Sequence, residues 1–124
     1  MNAYIAAITT YLPEFILDNE TLASQFPDWS VDKIYEKTGI HSRHIAAEDE
    51  SCSDMAVSAA EKLFLDENIR KEDIDYILLC TQSPDYFLPT TACLVQSRLG
   101  LPTSCGALDF NLGCSGYVYG LSLA

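Results

Sequence analysis

An α/β fold with a mostly parallel sheet is predicted by three features of this 124-residue chain. Two short, nearly all-apolar runs, residues 75–81 (DYILLCT) and 105–111 (CGALDFN), read as strands covered on both faces, the pattern of a parallel sheet. Between them, residues 90–99 place Ala92, Val95 and Leu99 in helical register with Gly100 as the stop, which supplies the crossover that parallel neighbours require. Strand, helix, strand and helix at such short spacings make a βαβ unit.

The remaining elements follow in order. Residues 3–12 (AYIAAITTYL) alternate loosely, contain Ile and Thr, and stop at Pro13, so they read as a third, buried strand. Asp18 and Asn19 are N-cap types ahead of a short helix at 20–26, and Ser30 caps another at 31–37, with Gly39 just past its end. Residues 41–50 show no period and are expected to cross irregularly. Ser51 opens the strongest helix: Ser-x-x-Asp54 resembles a capping box, and Met55, Ala59 and Leu63 follow at i+4 spacing, flanked by Ala56, Ala60 and Phe64. That helix should end near Asn68. The last one is expected to begin at Cys114.

Composition removes several classes of function. Apolar residues make up 48%, which excludes a disordered chain. A formal charge of −11 repels phosphate backbones and argues against nucleic-acid binding. No apolar run reaches the roughly 18 residues of a membrane-spanning helix. Residues 1–7 carry no Lys or Arg, which argues against a signal peptide. Five cysteines without a C-x-x-C pair fit neither a disulfide framework nor a zinc site, and imply a cytoplasmic protein with reduced thiols. His41 and His44 form an H-x-x-H pair without an obvious third ligand, so no metal is expected. The charge is also unevenly spread, because residues 86–124 contain only Arg98 and Asp109. A stretch so poor in charge reads as the inner layer of something larger or as a subunit interface. With no closing signal on the final helix, the chain is expected to be a fragment.

Chemistry concentrates at residues 109–121, where a strand runs into a glycine-flanked turn and a cysteine stands at the start of a helix. The unpaired N–H groups and positive end of a helix favour a thiolate, and small neighbours let a substrate carbonyl reach the backbone. Sulfur suits an incoming thioester, because thioester exchange is close to thermoneutral. Cys114 is therefore the candidate nucleophile for acyl transfer, weighed against the tendency of free cysteines simply to pack. The G-C-S-G order misses the hydrolase G-x-C-x-G elbow by one position, and no phosphate-cradling glycine loop is present.

Residues 109–124 (DFNLGCSGYVYGLSLA) resemble the active-cysteine region of 3-oxoacyl-(acyl-carrier-protein) synthase III enzymes of the thiolase-like superfamily. Tyr11-Leu12-Pro13-Glu14 with Asn19, then residues 37–46 (KTGIHSRHIA) and 89–100 (PTTACLVQSRLG), match in family order and spacing. The resemblance spans the whole chain, and it implies that residues 1–124 are the N-terminal part of one thiolase-like domain, with about three strands and covering helices. It also implies a mechanism. Cys114 takes an acyl group from acyl-coenzyme A, malonyl on the acyl-carrier protein is decarboxylated, and the carbanion attacks the acyl-cysteine. A histidine and an asparagine far downstream support decarboxylation in the family, and His41 and His44 precede the cysteine and do not replace them. No cofactor beyond these substrates is implied, and a homodimer paired through the strand at 105–111 is expected. Where relatives stack a tryptophan on the coenzyme adenine, this chain has Lys33, so Trp29 is the candidate stacking surface; Lys37 stands at the position of a family arginine. Leu88, just before Pro89, occupies the position that reaches the partner's acyl pocket and suggests acyl chains longer or more branched than acetyl. The alternatives are another thiolase-like condensing enzyme, such as a hydroxymethylglutaryl-coenzyme A synthase relative, or a non-catalytic partner subunit, a class that tends to lose the nucleophile.

Overall fold

Residues 3–124 are described by a computed structural model. Backbone contacts divide them into two units, residues 12–50 and residues 51–124 together with the stretch up to Tyr11.

The smaller unit runs β1 (Phe15–Asp18), α1 (Asn19–Gln25), α2 (Val31–Thr38) and β2 (Ser42–Ile45). Both helices begin as their sequences dictate: the Asp18 carboxylate accepts the Thr21 N–H at 2.7 Å and the Ser30 hydroxyl accepts the Lys33 N–H at 3.2 Å. Residues 41–50 are not irregular throughout. β2 pairs antiparallel with β1, Phe15 facing Ile45 and Asp18 facing Ser42. Four residues with a single aliphatic side chain (SRHI) carry too little alternation for the strand to be read, and tertiary pairing decides it. Asn19 is the anchor. It is buried, its amide donates to the Ile40 carbonyl at 2.8 Å, its side-chain oxygen accepts from Arg43 at 2.9 Å, and its own N–H reaches the His41 carbonyl. A buried amide with every partner in place stabilises one arrangement only, here the entry to α1 against the approach to β2.

The larger unit contains α3 (Cys52–Asp66), a single 3-10 turn (Lys71–Asp73), β3 (Tyr76–Cys80), α4 (Thr91–Leu99), β4 (Gly106–Phe110) and α5 (Gly116–Leu123). α3 starts with the expected capping box, Ser51 and Asp54 satisfying each other's backbone N–H groups. β3 and β4 pair in parallel, Tyr76 facing Gly106 and Cys80 facing Phe110, with α4 as the crossover. Val57, Val95, Leu99, Leu101 and Cys105 form the buried core, with Ala56, Ala60, Phe64, Ile74 and Ile77 packed around it. Each fully buried aliphatic side chain here contributes about 1.5–3 kcal/mol. Gly100 ends α4 in the left-handed region (φ 68° is matched at Gly39, φ 66° here), and Lys71 donates to the Leu99 carbonyl at 2.7 Å, so the helix's negative end meets a cation.

Two further expectations change. Residues 3–12 form no strand; Tyr4, Ile5, Ile8 and Leu12 are exposed, and the Thr9 hydroxyl donates to the Ala59 carbonyl of α3 at 2.9 Å. A strand exists only through its ladder, and this segment meets a helix side instead. The parallel strands are also not covered on both faces. Tyr76, Cys80 and Leu108 are exposed, and Tyr76, Leu78 and Leu108 line an open apolar hollow of about 620 Å³ with Leu123 of α5. The parallel pair and its crossover are as predicted. Among the described residues, no helix is long and apolar enough to cross a membrane.

Candidate active site

The chain leaves β4 under tight control. The Phe110 carbonyl accepts the Thr81 N–H at 3.2 Å, the Leu112 carbonyl accepts the Cys80 thiol at 3.4 Å, and the Gly113 carbonyl accepts the Gly116 N–H at 2.9 Å. Cys114 sits exposed in the resulting turn. α5 therefore begins at Gly116, two residues later than the sequence suggests, because the Gly113–Gly116 bond makes a separate turn before the helix. Ser115 is the N-cap but offers no side-chain cap, so the leading amides of α5 depend on other acceptors. The thiol thus stands just ahead of a helix's partially positive end, with the space beside Gly113 met only by the Gln82 side chain at 3.8 Å.

Beside this turn is an arrangement that sequence reasoning missed. The Asp109 carboxylate, on β4, accepts the N–H groups of Thr91 and Ala92 at 2.6 Å each and so caps α4 from a neighbouring strand. Thr91 is wholly buried, and its hydroxyl accepts the Asp85 N–H at 3.1 Å. Asp85 in turn accepts the Ser53 N–H at 3.0 Å, and Arg98 bridges the Ser53 hydroxyl and the Asp54 carboxylate at 2.7 Å each. The one usable signal was a lone acid inside an apolar strand, a residue that needs partners when half-buried.

The other sequence-derived site residues are placed as follows. Leu88 lies on the loop after β3, 81% exposed beside exposed Tyr86 and Phe87, and precedes a cis peptide to Pro89. Trp29 lies between α1 and α2, 42% exposed, lining an apolar pocket of about 260 Å³ with Leu22, Phe26, Ile34 and Thr38. Lys33 extends over its ring at 4.7 Å and also donates to the Asp28 carbonyl, so one face of the indole already carries a cation. Lys37 is exposed in the last turn of α2. Trp29 and Lys37 belong to the smaller unit, Leu88 and Cys114 to the larger one.

The remaining thiols differ in setting. Cys105 is buried in the core, where burial first and the Asp75 charge second push its thiol up. Cys80 and Cys93 are exposed, and Cys52 is half-buried against the Thr81 hydroxyl at 3.3 Å. Among the described residues, no group of three or more His, Cys, Asp or Glu is placed to hold a metal ion.

No protein-family model matches the chain. Individual proteins do. It is 45% identical over 120 residues to beta-ketoacyl-[acyl-carrier-protein] synthase III of Xanthomonas oryzae pv. oryzae, covering 97% of this chain and 36% of that protein. The protein of the same name from Xylella fastidiosa strain Temecula1 is 48% identical over 122 residues, 98% of this chain and 37% of its own length. A crystal structure of a 3-oxoacyl-(acyl-carrier-protein) synthase III superimposes with a TM-score of 0.90 at 56% identity, covering 96% of this chain and 35% of that one. The Thermus thermophilus synthase III gives 0.89 at 38% identity, over 98% of this chain and 37% of that one. The chain spans little more than a third of the length of these relatives. In sequence and in thiolase-like fold, the chain is similar, over about a third of their length, to proteins named beta-ketoacyl-[acyl-carrier-protein] synthase III.

Proposed function

We propose that this chain supplies the acyl-accepting thiol of a fatty-acid chain-initiating condensation. The Cys114 thiol gives up its proton to solvent, the thiolate attacks the thioester carbonyl of an acyl-coenzyme A, and the tetrahedral oxyanion collapses with expulsion of the coenzyme A thiolate, which takes up a proton from solvent in its place. Malonyl-acyl-carrier protein then loses carbon dioxide. Its enolate carbon attacks the acyl-cysteine, a carbon–carbon bond forms as the carbon–sulfur bond breaks, and 3-oxoacyl-carrier protein leaves with Cys114 restored. The observation that carries this reading is the exposed Cys114 in a glycine-flanked turn between a parallel strand and α5.

The substrate contacts are proposed with it. Trp29 offers an aromatic face to the coenzyme adenine, Lys37 a charge to its phosphates, and Leu88 shapes the acyl pocket of a second copy. β4 pairs only with β3 among the described residues, which supports a homodimer through its other edge. The enolate step needs donors on the thioester oxygen, supplied in the family by a histidine and an asparagine without counterparts in this sequence. Losing one such donor costs about 3 kcal/mol, so these 124 residues alone acylate slowly and release no 3-oxoacyl product.

Incubation with acetyl-coenzyme A and, in parallel, with isobutyryl-coenzyme A, followed by peptide mapping, tests the reading. The acyl group is expected on Cys114 from at least one donor and absent from Cys114→Ala. A folded chain that acquires it on another cysteine, or on none, overturns the assignment.

A further inference from the structure

The two bonds at Asp109 join parts of the molecule that the proposed chemistry uses separately. Thr90, the N-cap of α4, makes no side-chain cap bond, so Asp109 does from another strand what the local sequence does not. Charge-assisted bonds of this kind are short and directional. Through Thr91 they extend to the Asp85 N–H, which closes the loop carrying Tyr86, Phe87 and Leu88 at its root, and through Asp85 to the start of α3. Along the backbone, the next residue, Phe110, is bonded to Thr81, and Leu112 two further on is bonded to Cys80. The turn holding Cys114 is therefore stacked on the same strand end that carries Asp109.

With both carboxylate oxygens occupied by backbone N–H groups, Asp109 is not placed to exchange a proton with a substrate. We propose that Asp109 is a positioning residue, whose carboxylate holds the Leu88 loop and the Cys114 turn in one framework. Its consequence for acyl transfer rests on the assignment of Cys114 as the nucleophile.

The test uses the 124-residue chain with Asp109→Asn and Asp109→Ala, reading three quantities: acylation of Cys114 by acetyl- or isobutyryl-coenzyme A, alkylation of each thiol by iodoacetamide, and amide hydrogen exchange at Asp85, whose N–H the Thr91 hydroxyl accepts at the root of the loop. Buried Cys105 reports whether the variants remain folded. Expected is a loss of Cys114 acylation of about tenfold or more in Asp109→Ala, less in Asp109→Asn, which keeps one acceptor, together with faster exchange at Asp85 and a protected Cys105. A protected Cys105 with acylation and exchange both within twofold of the parent overturns the proposal. If the parent itself is not acylated, the nucleophile assignment fails, and the Cys114 alkylation rate with exchange at Asp85 then decides for or against Asp109 in the same way. Should Asp109→Ala expose Cys105, Thr91→Val keeps both carboxylate bonds and cuts only the hydroxyl link to Asp85. Faster exchange at Asp85 with unchanged Cys114 rates is then expected, and unchanged exchange overturns the proposal.

Discussion

The Cys80 thiol fills the space that a side chain on residue 116 would need. A Cβ built on Gly116 overlaps Cys80 Sγ, while its next neighbours, Leu112 Cβ at 3.4 Å and Cys80 Cβ at 3.7 Å, are at ordinary contact distance. Gly116→Ala is therefore expected to destabilise the chain by about 1–3 kcal/mol through overpacking, despite alanine's better helix propensity. Adding Cys80→Ala removes the obstructing sulfur and should restore most of the loss. Urea midpoints of the four chains measure the coupling, and additive effects would show that the two residues are independent.

Leu99 lies at the centre of the core with Val57, Val95, Leu101 and Cys105. Leu99→Ala leaves a cavity between α4 and the sheet and is expected to cost about 2–5 kcal/mol, read as a lower urea midpoint at constant slope. Because the Lys71 bond goes to the Leu99 backbone, it survives the substitution.

Acid sensitivity should centre on α3. The Ser51 hydroxyl and N–H, then Arg98, lower the Asp54 carboxyl from 3.8 to about 2. A folded-state value below the unfolded one stabilises the fold fully above 3.8, and this is lost as pH falls through about 2. Asp54→Asn is thus expected to lower the thermal midpoint near neutral pH, with the gap to the parent narrowing toward pH 2. An equal gap at both ends would remove Asp54 from the acid transition. Asp18 and Asp73 are also lowered, by Thr21 and Arg70 respectively, so some acid loss remains in the variant.

Thiol labelling should rank the cysteines. Cys114 is expected first, because it is exposed beside a helix start, and Cys105 last, because burial hides it and disfavours its thiolate. Timed iodoacetamide labelling with peptide mapping gives the order. Cys93 or Cys52 ahead of Cys114 in the folded chain would contradict it.

What could be read in advance was whatever local chemistry determines. Ser51 with Asp54, Ser30 and Gly100 each specify a helix end within a few residues, and the apolar runs around β3 and β4 specify two strands with a crossover between them. The turn around Cys114 was legible because its glycine neighbours are adjacent in sequence. Long-range partners were not. β1 and β2 are four-residue strands whose identity rests on each other, and the alternating residues 3–12 meet α3 instead of a ladder. Asp109 finds its acceptors' partners eighteen and seventeen positions away, at Thr91 and Ala92, and no spacing rule links a strand acid to another element's helix cap. Exposure of the sheet was missed for a related reason: an apolar run reports what a strand can bury against, not what lies over it.

The parallel ladder also governs when the site can exist. Every rung of β3 on β4 joins residues thirty positions apart, as Tyr76 opposite Gly106 does, and none can close until the intervening loop and α4 have been gathered in. Closing such loops precedes the contacts that reward it, which makes parallel pairing slow relative to helix formation. In a refolding chain, α3 and α4 then form early and the Cys114 turn, whose backbone hangs on Cys80 and Thr81 from the far strand, takes shape late. During that interval the sulfur is an ordinary flexible thiol, open to any oxidant or disulfide partner, so a reducing medium matters most in the first moments of folding and least once the ladder has closed.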